Sequence, residues 1–291
     1  MATRQAPAHK RRSSSSTESR RRSRAAPTRA PAKAVSRRQR FQRRYAVVYD
    51  IDGPRVRLGV LWFVVASIAL VVGPVPTAVV YGAAAAVAAA QTSIAWRRRK
   101  ERPHRMVAAL MGGGLALGAC FGPTGAGVAV LAGTGAAVFV ASTDAASRAP
   151  TLTDAGWTIR AALPVGLAAM SMVLLTDLDQ GSAIALLLLV SAYETGDYLI
   201  GSGSRNPYEG PLAGIAAITV VTFIVSSLSI SAFDVGQAWI FGAAVAVLAP
   251  LGQLLASAVL PTAGAPASGL RRLDSLLLAG PVWWLAVNAI T

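Results

Sequence analysis

Histidine is almost absent from this chain, cysteine occurs once, and charge is scarce outside one end. The lone Cys120 lies in an apolar run, so no intramolecular disulfide and no thiolate metal cluster can form. The two histidines, His9 and His104, fall in a basic tail and an Arg-rich connection. A histidine-ligated metal or a Ser-His-Asp site within the apolar body is thereby excluded. Only 14% of the 291 residues are charged and 54% are hydrophobic, more apolar than the core of a soluble domain requires.

The formal charge of +15 suggests a nucleic-acid binder until it is divided along the chain. Residues 1–57 hold 17 of the 28 Lys/Arg against Glu18, Asp50 and Asp52, whereas 58–291 hold 11 against 10 acids. The basicity therefore belongs to the tail. Rich in Arg, Ser, Pro and Ala, the tail buries too little apolar surface to offset its ordering entropy. It lacks the apolar core of a signal peptide and the amphipathic pattern of a transit peptide. The reading is a disordered basic cytoplasmic tail over 1–44 and a juxtamembrane segment over 45–57. N-terminal transmembrane helices follow over 58–180, and C-terminal ones over 181–291.

A membrane-crossing helix needs about 20 mainly apolar residues. Runs at 57–73, 75–96, 106–122, 124–142, 160–176, 181–200, 211–232, 236–259 and 274–290 predict an all-α integral membrane protein of nine spans. Several are divided only by Gly/Pro turns, GPVP at 73–76 and GPTG at 122–125. Charge tests the partition independently. Alternate connections at 96–105, 143–160, 201–210 and 260–273 carry every Lys and Arg of the body. The connections between them hold only Asp177, Asp179 and Asp234. By the positive-inside rule the N-terminus is cytoplasmic and the C-terminus outside. Glycine- and alanine-rich stretches, such as MGGGLALGAC at 111–120, are read as close helix packing and not as phosphate loops, because none follows a strand.

Ionisable residues within a span are costly and count as functional candidates. Glu194 and Asp197 in SAYETGDYLIG at 191–201 share a helix face near the cytoplasmic end. Either they hold Mg²⁺, which takes oxygen ligands and bridges to phosphates, or they are a solvated helix end meeting Arg205 or Arg272. The following loop offers Arg205, Asn206 and Glu209. In the last loop Asp274 and Ser275 are positioned to cap the final helix, with Arg271 and Arg272 as interfacial anchors. These polar clusters converge on the cytoplasmic side of the C-terminal half.

Over about 181–290 the chain resembles the phosphatidate cytidylyltransferases, multi-helix membrane enzymes that join CTP to phosphatidate with a divalent metal. The resemblance is carried by E-T-G-D-Y-L-I-G at 194–201, N-P-Y-E-G at 206–210, G-Q-L-L-A-S-A-V-L-P at 252–261 and L-R-R-L-D-S-L at 270–276, followed by A-G-P-V-W-W. It implies catalytic roles for Glu194 and Asp274, with Mg²⁺ on both if the site is active, and Asp197, an added acid beside them, is the third catalytic candidate. Substrate would meet Arg205, Glu209, Ser257 and Arg272. The departures fall on the charged positions. Gln253 stands where the family has an acid, Leu260-Pro261 replaces a Lys-Arg pair, and Arg271 replaces the first acid of the ending. A Lys-Asp pair and a loop histidine are missing.

The expectation is a cytidylyltransferase-like protein of phospholipid metabolism, in the plasma membrane of a bacterium, with a degraded site that binds a lipid phosphate or serves a partner. An active CTP:phosphatidate cytidylyltransferase making CDP-diacylglycerol is the alternative, and a transporter the third reading. Homo- or hetero-oligomers are left open. For residues 1–57 the expected partner is the anionic leaflet rather than nucleic acid, since each basic residue near that surface contributes ~1 kcal/mol. The isolated 1–57 peptide should bind anionic vesicles, release them in high salt and ignore neutral ones. Equal affinity for neutral vesicles would sink the electrostatic account.

Overall fold

The structure, a computed structural model, describes residues 55–143, 150–204, 206–228 and 234–291. The basic tail, Arg148 and Arg205 lie outside the described residues. The described residues form α-helices joined by short connections, with no strand among them. They are α1 Arg55–Val72, α2 Pro74–Arg97, α3 Arg105–Ala119, α4 Gly122–Thr143, α5 Thr151–Leu178, α6 Gln180–Gly201, α7 Glu209–Leu228, α8 Val235–Val259 and α9 Leu276–Ile290. A 3₁₀ turn, Leu270–Arg272, precedes α9.

Six of these helices, α2 and α4 to α8, are long and apolar enough to cross a membrane, which makes the chain an integral membrane protein. The other three are apolar but shorter. At 15 residues, α3 and α9 reach only about 22 Å, against about 30 Å of hydrocarbon.

Turn chemistry explains most of the boundaries. Gly73, at φ 135°, takes the left-handed region that other residues avoid, and Pro74 then opens α2 without an amide to satisfy. Gly122 does the same at φ 72°. Because α4 begins at Gly122, Pro123 sits inside its first turn, and the expected break falls earlier, at Cys120 and Phe121. Asp179 ends α5 and caps α6 by accepting from the Gly181 and Ser182 amides at 3.2 and 3.1 Å. Asp234 forms a capping box with Gln237. Two of the three acids on the Arg-free connections, Asp179 and Asp234, thus work as helix caps.

Helix ends group into two sets. At one, the Gln180 amide donates to Leu70 and Val71 carbonyls, and Cys120 Sγ lies 4.0 Å from the Pro74 oxygen. At the other, Trp96 Nε1 donates to the Val259 carbonyl at 2.7 Å, and the His104 amide to Thr158 Oγ1 at 2.9 Å. Arg160 Nη2 bonds the Ala258 carbonyl there. This second end carries the described Arg-rich connection at 97–105. Arg160 was expected at the edge of a connection, but α5 starts at Thr151, so it lies more than two turns inside the helix. Its guanidinium lies over both Trp96 and Trp157, at 5.2 and 5.3 Å from the ring centroids, while it caps the last carbonyls of α8.

The core centres on α5, whose Ala161, Ala162, Val165, Ala168, Ala169 and Met172 are wholly buried, and which packs against α2, α3, α4, α6 and α9. Small residues bring backbones together, as packing between helices in lipid demands. A β-carbon on Gly112 would lie 2.9 Å from the Ala85 carbonyl of α2, and one on Gly196 2.7 Å from the Ala213 carbonyl of α7.

The segment 260–275 departs most from expectation. Instead of a loop lying wholly at the surface, it turns one side inward: Leu260, Ala263, Ala267, Leu270, Leu273 and Ser275 are buried, while Gly264, Pro266 and Ser268 are exposed. Gly269 lies against Ala88, nine residues before the end of α2 and so about 13 Å inside it. Non-helical backbone at membrane depth is tolerated only when protein surrounds it and bonds its polar groups. Gln91 supplies part of that need, accepting from the Gly269 amide at 2.8 Å and donating to Ser268 Oγ at 3.3 Å. The re-entrant course also explains the short α9, because the segment covers the depth that α9 does not.

Candidate functional site

Three stretches meet where this segment turns into α9. From α6 come Tyr193, Glu194 and Asp197, from α8 Gln253 and Ser257, and from the segment Arg271, Arg272, Asp274 and Ser275. Gly252 permits the meeting, since a β-carbon there would collide with the Asp274 carbonyl oxygen. A backbone-to-helix approach of that kind has room for no side chain.

Two hydrogen-bonded groups fill the space. In the first, buried Asp197 accepts from Gln253 Nε2 at 3.2 Å, and the Tyr193 hydroxyl donates to Gln253 Oε1 at 3.1 Å. The amide thus offers each neighbour the half it needs, and a charged aspartate at 253 would face Asp197 across the same gap. In the second, Arg271 Nη1 lies 3.5 Å from Asp274 Oδ2. Both Arg271 terminal nitrogens lie 3.4 Å from Ser257 Oγ, and Nη2 also donates to the Ala263 carbonyl at 2.7 Å. Asp274 Oδ1 accepts from the Ser275 amide at 2.8 Å.

Glu194 links the groups. It lies beside Ser275 and within electrostatic reach of Asp274, Arg272 and Asp197. Arg272 reaches across to α1, where a β-carbon on Gly59 would sit 3.2 Å from its Nη1. The structure therefore brings together Glu194, Asp197, Ser257, Arg272 and Asp274 of the expected site. Glu209 stands apart: it is exposed at the start of α7 and accepts from Ser204 Oγ at 2.5 Å within its own loop. Arg205 falls outside the described residues. The expected helix cap also differs. Ser275 is the N-cap of α9 but makes no side-chain capping bond, and Asp274 turns to Arg271.

A magnesium ion wants near-octahedral oxygen ligands, of which one or two carboxylates are the usual protein share. Among the described residues no three Asp, Glu, His or Cys side chains come together to hold a metal. Glu194 and Asp274, the pair expected to carry it, face two guanidinium groups and have protein hydrogen-bond partners. With the carboxylates engaged by guanidinium and backbone groups, the residues present do not fit a divalent cation.

Gln253 and Arg271 were legible in the sequence only as departures from a motif. That Gln253 hydrogen-bonds Asp197 and Arg271 pairs with Asp274 needs the geometry. Tyr193, Gln91 and the Trp96–Arg160–Trp157 stack carried no sequence signal, since each reads as ordinary helix filling.

Compared with known proteins, the chain matches no protein-family model, no curated protein sequence and no solved structure.

Removing one partner of a buried ion pair leaves an uncompensated charge and costs about 3 kcal/mol or more, whereas an apolar replacement of both is often neutral. Arg271→Met alone should therefore lower the unfolding midpoint in mild detergent. Arg271→Met with Asp274→Asn should recover much of that loss, with a coupling of more than about 1 kcal/mol. Strictly additive losses would show that the pair contributes nothing.

Proposed function

We propose that this chain is a phosphatidate cytidylyltransferase-like membrane protein of phospholipid metabolism that no longer transfers a nucleotide. Its cluster serves instead to bind a lipid phosphate or to support a partner subunit. One observation carries the reading. At the two positions where the resemblance calls for metal-binding acids, Gln253 instead hydrogen-bonds the added acid Asp197 and Arg271 pairs with Asp274. Transfer of a phosphoryl-type group needs metal and cations on the charge that develops, and this cluster spends its cations on its own carboxylates. Arg272, on the re-entrant segment beside α1, is the guanidinium that a lipid phosphate would engage bidentately.

Purified protein given CTP, phosphatidate and Mg²⁺ should form no CDP-diacylglycerol above background. Robust turnover that Asp274→Asn abolishes would overturn the reading and make the chain an active enzyme.

The proposed topology is nine crossings with the N-terminus cytoplasmic. It draws support from the one-sided basic residues and from the two sets of helix ends. The three short helices count as crossings because their neighbours and the re-entrant segment complete the depth. In a Cys120→Ser background, cysteines placed at Asp177 and Asp234 should label from outside intact cells, and one at Arg205 should not. External labelling at Arg205 would break this arrangement.

A further inference from the structure

Away from the C-terminal cluster, a small polar cavity opens at the Arg-rich end, where α2 finishes and α3 and α5 begin. Arg97, Arg102, His104, Asp154 and Thr158 line it, and Val140 and Ala141 of α4 close one wall. Two positive helix N-termini converge there, since His104 is the N-cap of α3 and Asp154 lies in the first turn of α5. His104 Nδ1 accepts from the Val107 amide at 3.3 Å, which leaves the ring proton on Nε2 as a donor. Among the described residues, two arginines stand against Asp154, itself 5% exposed, and although Arg102 and Asp154 already have interaction partners, the lining carries more positive than negative charge. This is the chemistry of an anion site. With an interior of about 20 Å³, the cavity admits one oxygen of such an anion, and the rest must stay in the open mouth.

We propose that this cavity binds the phosphate of an anionic membrane lipid. Arg97 and Arg102 fork onto the phosphate oxygens, and His104 Nε2 supplies a further donor. A lipid is favoured over a soluble phosphate because large apolar side chains continue from the cavity along the same helices. Met106 and Leu110 of α3 are 62% and 71% exposed, and Phe139 of α4 is 67% exposed. They give the helices that line the cavity exposed apolar flanks for acyl chains, beyond a headgroup held at the Arg-rich end. Basic pockets between helices at a membrane face are the usual seats of anionic headgroups. The inference is independent of the cytidylyltransferase-like reading, which concerns the other half of the chain.

The test uses full-length protein in vesicles of equal parts phosphatidylglycerol and phosphatidylcholine, released into mild detergent and weighed by native mass spectrometry. The unmodified protein should retain phosphatidylglycerol. Arg97→Gln with Arg102→Gln should retain at least about tenfold less, and Arg98→Gln with Arg99→Gln, an equal charge loss outside the cavity, should retain it nearly in full. Arg97→Lys with Arg102→Lys keeps the charge but loses the forks, so intermediate retention is expected even if the glutamine pair folds poorly. Equal loss in both glutamine pairs would reduce the effect to diffuse attraction and overturn the site. Binding of inorganic phosphate with no retained lipid would overturn the lipid assignment.

Discussion

A backbone amide or carbonyl that leaves a helix inside lipid finds no water to bond, and segment 260–275 lives under that constraint. Its backbone bonds are partly local, and side chains of earlier helices supply others to it and to the end of α8 that leads into it. Gln91 serves Gly269 and Ser268, Trp96 serves Val259, and Arg160 serves Ala258. The candidate site in the C-terminal half is therefore positioned in part by side chains 98 to 178 positions earlier than the groups they serve. Losing any of them would leave a buried polar group unsatisfied, which costs about 1–3 kcal/mol and acts directly on the segment that carries Arg271 to Ser275.

The small residues follow from the same constraint. A re-entrant segment fits between helices only if neighbouring backbones can approach, and Gly252 and Gly269 sit at its two points of contact, on α8 and α2. Elsewhere in the bundle, glycine and alanine draw the helices close enough for dispersion to hold them where no hydrophobic force between helices exists. A looser bundle built from larger side chains would leave polar side chains such as Gln253 and Asp197 without partners within reach.

What the sequence disclosed follows from how each signal is encoded. Apolar run length exposed the helices, because it is a local property. The C-terminal residues Glu194, Ser257, Arg272 and Asp274 were found through short motifs, and they do meet. Three features were beyond such reading. The inward course of 260–275 looks like a polar loop, since its Gly, Pro and Ala suit a surface turn as well as a packed one. Arg160 looks like an interfacial anchor until the start of α5 at Thr151 places it between two tryptophans. The partnership of Gln253 with Asp197 joins residues 56 positions apart, and nothing in the local pattern of either records the other.

A closed set of ion pairs is not an obvious place for a ligand, yet energetics favour exchange here over an empty site. Buried charges left without partners are costly, so a site waiting for phosphate with bare guanidinium groups would destabilise the fold. In this chain Arg271 rests on Asp274, and Glu194 feels Arg272, so the cations are already compensated. A lipid phosphate approaching Arg272 would replace one anion by another, and the net cost is the difference between two similar pairings. The displaced Glu194 would stay beside Ser275. Catalysis gains nothing from this arrangement, because neither partner of the exchange supplies a metal or new positive charge to a reacting group. Under the proposed reading, a lipid phosphate seated there is compensated by the guanidinium that Glu194 releases, so the fold carries no bare buried cation in either state.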